Sequence, residues 1–398
     1  MNVLYIPGYR YPADLSEPIS CGDLRYSFNL ARALARKGLK VTVISRGKHG
    51  EKAHATSNSV RILRYQSGLR RIFGTSFDIS WGRYKLYRRL APKADLVICN
   101  SPLSLELPVR RCGPLIYICS GLEDVRNYAL SLSDMFAYCG IKMLRDPCKR
   151  LSWRKATVVN TTASLEDHTL RRWGVPAAKI ATIGPGVELE RYFPQCEKEL
   201  DALKQGLGVP RHRWCNKFIL CVGRFTPAKG IVETVKAFRL LARERDDIHL
   251  LIVGVQHSHS SSYYGKILRE IALSGLTDRI IVRENVPEAD LPRYYSLARL
   301  CSVFSVGYDP LPTVIIESLS CGTPVVATYF DTRKQMIADG VNSLFVPEGD
   351  IQAWSHAVKR LLDDDEFYER LRRAGMATVE QKFDMDRVAE QYLQVLHE

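Results

Sequence analysis

Residues 22–45, GDLRYSFNLARALARKGLKVTVIS, contain a helix that leads into a strand. Gly38 ends the helix. The apolar residues of the helix share one face, and they are Leu24, Phe28, Leu30, Ala31 and Leu34. The strands on either side, NVLYI at 2–6 and KVTVIS at 40–45, are nearly continuous apolar runs, as in parallel sheets covered on both faces. A strand, a helix and a strand in this order form a right-handed βαβ unit. The segment therefore predicts an α/β fold.

The same alternation continues along the chain and restarts after a polar connector near residue 200. Strand-like runs of the first half are ADLVICN, PLIYICS, ATVVNTT and KIATIGPGV; those of the second begin with KFILCVG and HLLIVG. We predict two doubly wound, Rossmann-like domains that face a cleft, at residues 1–193 and 194–380. The region from residue 350 onward is expected to be helical throughout, and residues 381–398 are expected to form a helix that packs back on the first domain. Ligands of such sheets bind at the carboxyl ends of the strands.

Composition excludes several classes of protein. Of the 398 residues, 46% are hydrophobic and 25% are charged, which is typical of a globular protein and not of a disordered or fibrous one. The start of the chain lacks a signal-like pattern and no run of about 18 apolar residues occurs, so we expect a cytoplasmic protein, either free or peripheral on the inner face of the membrane. The eleven cysteines form no C-x2-C pair, so no metal site is expected.

The positive charge lies in the first half of the chain. Residues 1–200 contain 32 Lys and Arg against 17 Asp and Glu, whereas residues 201–398 contain 25 against 26. It is densest at 59–93 and 142–155, where basic and aromatic residues alternate. Such a surface suits phosphates, an anionic saccharide or anionic lipid headgroups, although a solvated basic face with no partner is the alternative. Nucleic acid is not expected, because no helix-turn-helix, finger or ribonucleoprotein motif occurs.

Two loops contain candidate ligand-binding residues. In VGRFTPAKG, Arg224 and Lys229 follow a strand and precede a helix, a pattern that suits a diphosphate, although it is not a P-loop and a surface pair is the alternative. In YDPLPTVIIESLSCGTPVV, Asp309 precedes a turn and Glu317 lies in the helix after it. A carboxylate there can accept hydrogen bonds from two adjacent hydroxyls. The alternatives are that Asp309 is only a cap and Glu317 only a surface helix residue.

Several motifs in order resemble glycosyltransferase family 4, retaining enzymes of the GT-B architecture that use nucleotide diphosphate sugars. Besides residues 22–45, the motifs are KIATIGPGVELERYFP, VGRFTPAKG, LLIVG, ENVPEADLPRYYSLA, ESLSCGTPVVAT and DGVNSLFVPEGD. The resemblance implies that the first domain receives the acceptor and the second binds the nucleotide sugar.

The resemblance also implies roles for individual residues. Arg224 and Lys229 would bind the donor diphosphate, Asp309 would contact the transferred sugar, and Glu317 would hold the ribose. The remaining donor contacts implied are Gly22, Asn285, Val286, Leu311, Pro312, Thr313 and Val314. The sequence departs from the family at Asp309, where Glu is usual, and at Ser120 before Gly121, where His often precedes the Gly. Ser120 cannot act as an imidazole would, although it can donate a hydrogen bond to the sugar.

The resemblance predicts a retaining transfer of a hexose-type sugar from a UDP-sugar or GDP-sugar, the former slightly favoured, with no cofactor beyond the donor. The acceptor is expected to be a saccharide or lipid that is anionic or presented at a membrane. The alternatives are a soluble small-molecule acceptor, a sugar-nucleotide epimerase or phosphorylase of the same fold, and a non-catalytic nucleotide-sugar-binding subunit.

Overall fold

The computed structural model describes most of the chain. The described residues are 1–7, 11–12, 22–47, 53–57, 59–66, 69–72, 75–78, 81–100, 109–111, 113–119, 151–161, 170–215, 217–255, 261–307, 309 and 311–396.

The first sheet has eight described strands in the order β10-β9-β8-β7-β1-β2-β4-β3, all parallel except the edge strand β3. Its strands are β1 (Asn2–Ile6), β2 (Lys40–Arg46), β3 (His54–Ser57), β4 (Val60–Tyr65), β7 (Leu96–Cys99), β8 (Leu115–Cys119), β9 (Val158–Thr161) and β10 (Ile180–Thr182). A separate hairpin pairs β5 (Leu69–Ile72) with β6 (Thr75–Asp78).

The second sheet is wholly parallel and has the order β13-β12-β11-β14-β15-β16. Its strands are β11 (Lys217–Arg224), β12 (Ile248–Val255), β13 (Ile280–Glu284), β14 (Ala298–Val303), β15 (Val325–Thr328) and β16 (Leu344–Val346). Most side chains of β12 and β15 are buried, which agrees with their continuous apolar sequences and with helices on both faces of the sheet.

The helices with defined bounds are α1 (Gly22–Arg36), α2 (Trp81–Leu90), α3 (Glu197–Gly206), α4 (Ile231–Leu241), α5 (Ser261–Ser274), α6 (Leu291–Leu297), α7 (Val314–Ser320), α8 (Ile351–Asp363), α9 (Asp365–Lys382) and α10 (Met385–Gln394). Two doubly wound domains are therefore present, and the predicted fold class is confirmed. None of the described helices is long and apolar enough to cross a bilayer.

The predicted helical region near the C-terminus is confirmed, and it consists of three helices separated by short breaks. Asp350, Asp364 and Asp384 each accept a hydrogen bond from a backbone N–H and begin a new helix, so the region is divided into α8, α9 and α10. An N-cap carboxylate satisfies an amide that has no partner within the helix.

The last helix, α10, belongs to the core of the first domain. Its buried residues Met385, Val388 and Tyr392 pack with α1 and the first sheet. The hydroxyl of Tyr392 is 2.8 Å from that of Tyr26 and accepts a 2.6 Å hydrogen bond from Nδ2 of Asn160.

The chain leaves the first domain and returns to it at adjacent points. The amide of Val187 donates to the carbonyl of Phe383 at 2.8 Å, and the amide of Met385 donates to the carbonyl of Val187 at 3.0 Å. The outgoing and returning segments are thus hydrogen-bonded to each other.

Replacing Tyr392 by Phe removes a buried hydroxyl that has two partners. We expect the free energy of unfolding to fall by about 1–3 kcal/mol, because the partner groups stay buried without their hydrogen bonds. Urea unfolding followed by circular dichroism measures the change. Tyr329→Phe is the matched control, because its hydroxyl contacts exposed Asp331, and it should cost less than about 0.5 kcal/mol. Equal losses in the two variants would contradict this assignment.

Candidate functional site

The second sheet reverses its strand order between β11 and β14. From β11 the sheet extends through β12 to β13, and from β14 it extends in the opposite direction through β15 to β16. The loops that follow β11 and β14 therefore diverge at the carboxyl edge of the sheet and leave a crevice, the usual ligand site of such folds. Arg224 is the last residue of β11, and the two loops contain Lys229 and Asp309.

Lys229 and Asp309 are in direct contact across this crevice. Nζ of Lys229 lies 2.8 and 2.9 Å from the two carboxylate oxygens of Asp309, and Oγ of Ser305 donates to Asp309 at 2.8 Å. Both charged side chains are partly exposed, at 17% and 16%. The pair is therefore formed within the protein but remains open to solvent.

A second cation, Arg333, lies beneath Asp309. Its guanidinium is fully buried and lies 3.2 Å from a carboxylate oxygen of Asp309 and 2.8 Å from the backbone carbonyl of the same residue. It also donates to Oγ of Ser305 and to the carbonyl of Thr328. Arg333 thus holds both the backbone and the side chain of Asp309.

These cations decide the charge of Asp309. Burial raises the pKa of the Asp309 carboxyl, but the charges of Lys229 and Arg333 outweigh this effect and lower the pKa to about 2. The carboxylate is therefore ionised at any physiological pH.

The turn that presents Lys229 requires glycine at its end. Gly230 has φ +60°, in the left-handed region, and a Cβ there would lie 1.8 Å from the carbonyl oxygen of Phe304. Only glycine allows the chain to pass this carbonyl and enter α4.

Glu317 lies in a different environment from the one expected. The alternative that it is a surface helix residue is wrong, because all of α7 is buried and its side chain is 2% exposed. Nη1 of Arg25, in the first domain, lies 2.8 and 2.9 Å from its two carboxylate oxygens. The hydroxyl of Tyr295 donates to the same carboxylate at 2.8 Å.

A second buried carboxylate shares the Arg25 guanidinium. Nε of Arg25 lies 2.9 and 3.0 Å from the oxygens of Glu288. Glu288 also accepts hydrogen bonds from Tyr192 at 2.5 Å and from Arg191 at 3.3 Å. Burial lowers the pKa of the Arg25 guanidinium, but Glu288 and Glu317 together hold it well above its ordinary value.

We call these residues the junction cluster: Arg25, Arg191, Tyr192, Glu288, Tyr295 and Glu317. The cluster joins α1 of the first domain to the loop after β13 and to α7 of the second domain.

The other predicted contacts surround these two groups. Arg224 is exposed at the end of β11. Asn285 is exposed after β13 with φ +55°, a left-handed conformation that Asn tolerates, and Val286 packs into the core of the second domain.

Leu311, Pro312, Thr313 and Val314 form the turn into α7, which has only seven residues, and Gly22 begins α1. Ser120 and Gly121 lie outside the described residues.

Reasoning from the sequence missed Arg25, Glu288 and Arg333. Arg333 lies in DTRKQ, a polar run that reads as a surface loop. A signal existed for Arg25, because Arg25, Arg32 and Arg36 recur at helical spacing and form one basic stripe on α1. That stripe meets Glu188 in the connection between the domains and Asp386 of α10.

The lowered pKa of Asp309 predicts how stability depends on pH. Because the folded-state pKa lies below the unfolded value near 4, the stabilisation by ionised Asp309 is complete above pH 4 and is lost as the pH falls through 2. Asp309→Asn should therefore reduce the free energy of unfolding by about 2 kcal/mol at pH 7 and by progressively less below pH 4. Urea midpoints at pH 7, 4 and 2.5 measure this, with exposed Asp246→Asn as control. A reduction that does not change with pH would contradict the electrostatic account.

Two family models match successive parts of the chain. The model described as Glycosyltransferase Family 4 matches residues 24–191, and the model described as Glycosyl transferases group 1 matches residues 212–378. A D-inositol 3-phosphate glycosyltransferase of Xylanimonas cellulosilytica is 28% identical over 289 residues, which are 71% of this chain and 66% of that relative. The match thus spans slightly less than two thirds of the relative's length.

Solved structures share the whole fold. Sucrose-phosphate synthase from Thermosynechococcus elongatus superimposes with a TM-score of 0.78 and 23% identity, over 99% of this chain and 98% of that chain. Anabaena HepE, solved in complex with UDP and glucose, superimposes with a TM-score of 0.75 and 17% identity, over 100% and 99% of the two chains. From the two family models and the two-domain architecture, the chain belongs to glycosyltransferase family 4.

Proposed function

We propose that this protein is a retaining glycosyltransferase that transfers a hexose-type sugar from a nucleotide diphosphate sugar. The observation that carries the proposal is the contact between Lys229 and Asp309 at the switch point of the second sheet. A cation and a carboxylate at this edge provide the two chemistries that a sugar diphosphate needs, one for phosphate and one for sugar hydroxyls.

The charge balance of this crevice favours a diphosphate. Lys229, Arg333 and Arg224 contribute three positive charges against two negative charges, those of Asp309 and of Glu348, which accepts a hydrogen bond from the amide of Gly307 and acts electrostatically on Arg333. The ammonium of Lys229 has three N–H donors, and Asp309 engages two of them, so one can donate to a phosphate oxygen. Exposed Arg224 can add a bidentate contact.

Arg224 and Lys229 would therefore stabilise the departing nucleoside diphosphate electrostatically. By resemblance to the family, the departing phosphate helps to deprotonate the acceptor hydroxyl on the same face of the sugar, and anomeric configuration is retained. We propose that no metal ion is needed for this step, because fixed cations supply the positive charge.

Asp309 and Glu317 would bind opposite ends of the donor. Asp309, held by Lys229 and Arg333, would accept hydrogen bonds from the transferred sugar, and Glu317 would accept those of the ribose. The lowered pKa of Asp309 supports this role, because an ionised carboxylate is an acceptor only. Asn285 and Val286, at the end of β13, would contact the base.

The surface of α2 supports an anionic acceptor. Trp81 is 67% exposed and lies edge-on to Tyr84, and both border a surface recess of about 400 Å³ with Lys85, Arg88 and Arg89. The helix sequence WGRYKLYRRL contains no acidic residue. Exposed aromatic rings beside cations suit a phosphate-bearing saccharide or lipid headgroup.

The name of the Xylanimonas relative, a D-inositol 3-phosphate glycosyltransferase, agrees with a phosphate-bearing acceptor. We propose the phosphate group as the shared chemistry of the acceptor, whether it is part of a soluble sugar phosphate or of a lipid at a membrane.

Removing Lys229 or Glu317 should abolish most donor turnover. We expect Lys229→Ala and Glu317→Ala each to lower the rate about 100-fold or more, because each removes a preorganised contact to the donor. Release of nucleoside diphosphate from UDP-glucose, GDP-glucose and ADP-glucose, with sugar phosphates or phospholipids as acceptors, measures the rate. A thermal-shift screen of the same donors identifies the base.

Lys359→Ala is the matched control, since this exposed lysine pairs with Glu244 on the surface. Wild-type rates in both site variants would reject the site. Conversion of donor without any acceptor would favour the epimerase or phosphorylase, and nucleotide binding without turnover would favour the non-catalytic subunit.

Neutralising α2 should weaken recognition of the acceptor phosphate. We expect the triple variant Lys85→Gln, Arg88→Gln, Arg89→Gln to lose about 100-fold in affinity for vesicles of phosphatidylcholine and phosphatidylglycerol at low salt, at about 1 kcal/mol for each charge. Vesicle sedimentation at low and high salt measures binding, and the KM for soluble sugar phosphates is measured in parallel.

The matched control combines Lys236→Gln and Arg239→Gln on α4 with Arg243→Gln just after it, which removes the same charge from the second domain. If the triple variant on α2 has a raised KM for soluble sugar phosphates and the wild-type protein does not bind vesicles, the acceptor is soluble. No change in either measurement would show that the basic face of α2 is merely solvated.

A further inference from the structure

Arg25 occupies the carboxylate that the proposed function assigns to the ribose. A carboxylate offers about four lone-pair sites. In Glu317, Nη1 of Arg25 bonds to both oxygens and the hydroxyl of Tyr295 bonds to one of them. With 2% of its side chain exposed, Glu317 has little free surface for two further hydroxyls. The ribose and Arg25 would therefore compete for the same group.

Glu288 makes that competition physically possible. Pulling a buried guanidinium away from its only counter-ion would leave an uncompensated charge, at a high cost in free energy. Arg25 has a second counter-ion, because its Nε contacts both oxygens of Glu288. If Arg25 releases Glu317, it stays paired with Glu288.

Glu288 is also the better-held carboxylate of the two. It has donors besides Arg25 on the segment between the domains, Tyr192 and Arg191, whereas Glu317 has only Tyr295 besides Arg25 within the described part of the chain. The cluster therefore contains one permanent partner of Arg25 and one exchangeable partner.

We propose that Arg25 is a positioning residue that holds Glu317 and yields it to the ribose hydroxyls of the donor, while Glu288 retains Arg25. The inference rests on the proposed function, in which Glu317 receives the ribose. Because Arg25 belongs to α1 of the first domain and Glu317 to α7 of the second, this exchange makes donor affinity depend on a contact between the domains.

The ribose contribution can be measured directly. The probes are UDP, GDP and ADP, each compared with its 2′,3′-dideoxy form by calorimetry at pH 8. The ratio of the two dissociation constants, dideoxy over parent, reports how much the ribose hydroxyls add to binding. A purely structural effect on the fold would change both constants together and leave this ratio unchanged.

Two variants should move the ratio in opposite directions. Arg25→Met combined with Glu288→Gln removes one positive and one negative charge and leaves Glu317 to the ribose, so the ratio should rise about tenfold. Glu288→Gln alone leaves Glu317 as the only counter-ion of Arg25 in the cluster, so the ratio should fall towards one. A tighter Arg25 to Glu317 pair is harder for the ribose to displace.

The matched control is Arg36→Met with Asp386→Asn, which removes a different ion pair of α1 and should leave the ratio at its wild-type value. Circular dichroism verifies that each variant is folded. If Arg25→Met with Glu288→Gln does not fold, the ratio measured for Glu288→Gln alone tests the proposal. Glu317→Gln tests the proposed site itself and should lower the ratio to one. If it does so while the folded junction variants keep the wild-type ratio, the role of Arg25 is overturned and the assignment of Glu317 to the ribose still holds. If Glu317→Gln leaves the ratio unchanged, or no probe binds, the proposed function fails and this inference fails with it.

Discussion

The guanidinium of Arg25 is held between Glu288 and Glu317, and this buried contact fixes how the two domains meet. Buried charges are tolerated only when they are neutralised and hydrogen-bonded, so the three side chains must stay together. Arg25 comes from the first domain and both carboxylates come from the second. The geometry of the crevice is therefore tied to the ionic contact at the domain junction, and not only to the packing of each core.

The two acidic residues of the crevice are positioned by different means. Asp309 is held from within its own domain, by Lys229 beside it and by buried Arg333 beneath it. Glu317 is held partly by Arg25, from the opposite domain. In the proposed function, the sugar end of the donor would meet a rigid part of the second domain, whereas the ribose end would meet a group that responds to the position of the first domain.

The sequence predicted the fold better than the site, for a physical reason. Apolar strands, glycine stops and helical periodicity are local signals, so both sheets and α1 could be assigned from them. Lys229 and Asp309 could be proposed as neighbours, because strands of one sheet end at the same edge. The partner of Glu317 could not be identified, because Arg25 is 292 positions away and reads as one polar residue of an amphipathic helix. Arg333 was missed because its burial depends on carbonyls from several loops, which no local pattern records.

The adjacent crossings at Val187 and Asp384 make the first domain discontinuous in sequence. Strand β1 and helix α10 belong to the same core, so the second domain is an insertion between two parts of the first. The two ends of the insertion are hydrogen-bonded to each other, Val187 to Phe383 and Met385. The second domain could therefore be exchanged as a cassette between relatives without cutting either sheet, provided that the cassette retains carboxylates able to pair with Arg25.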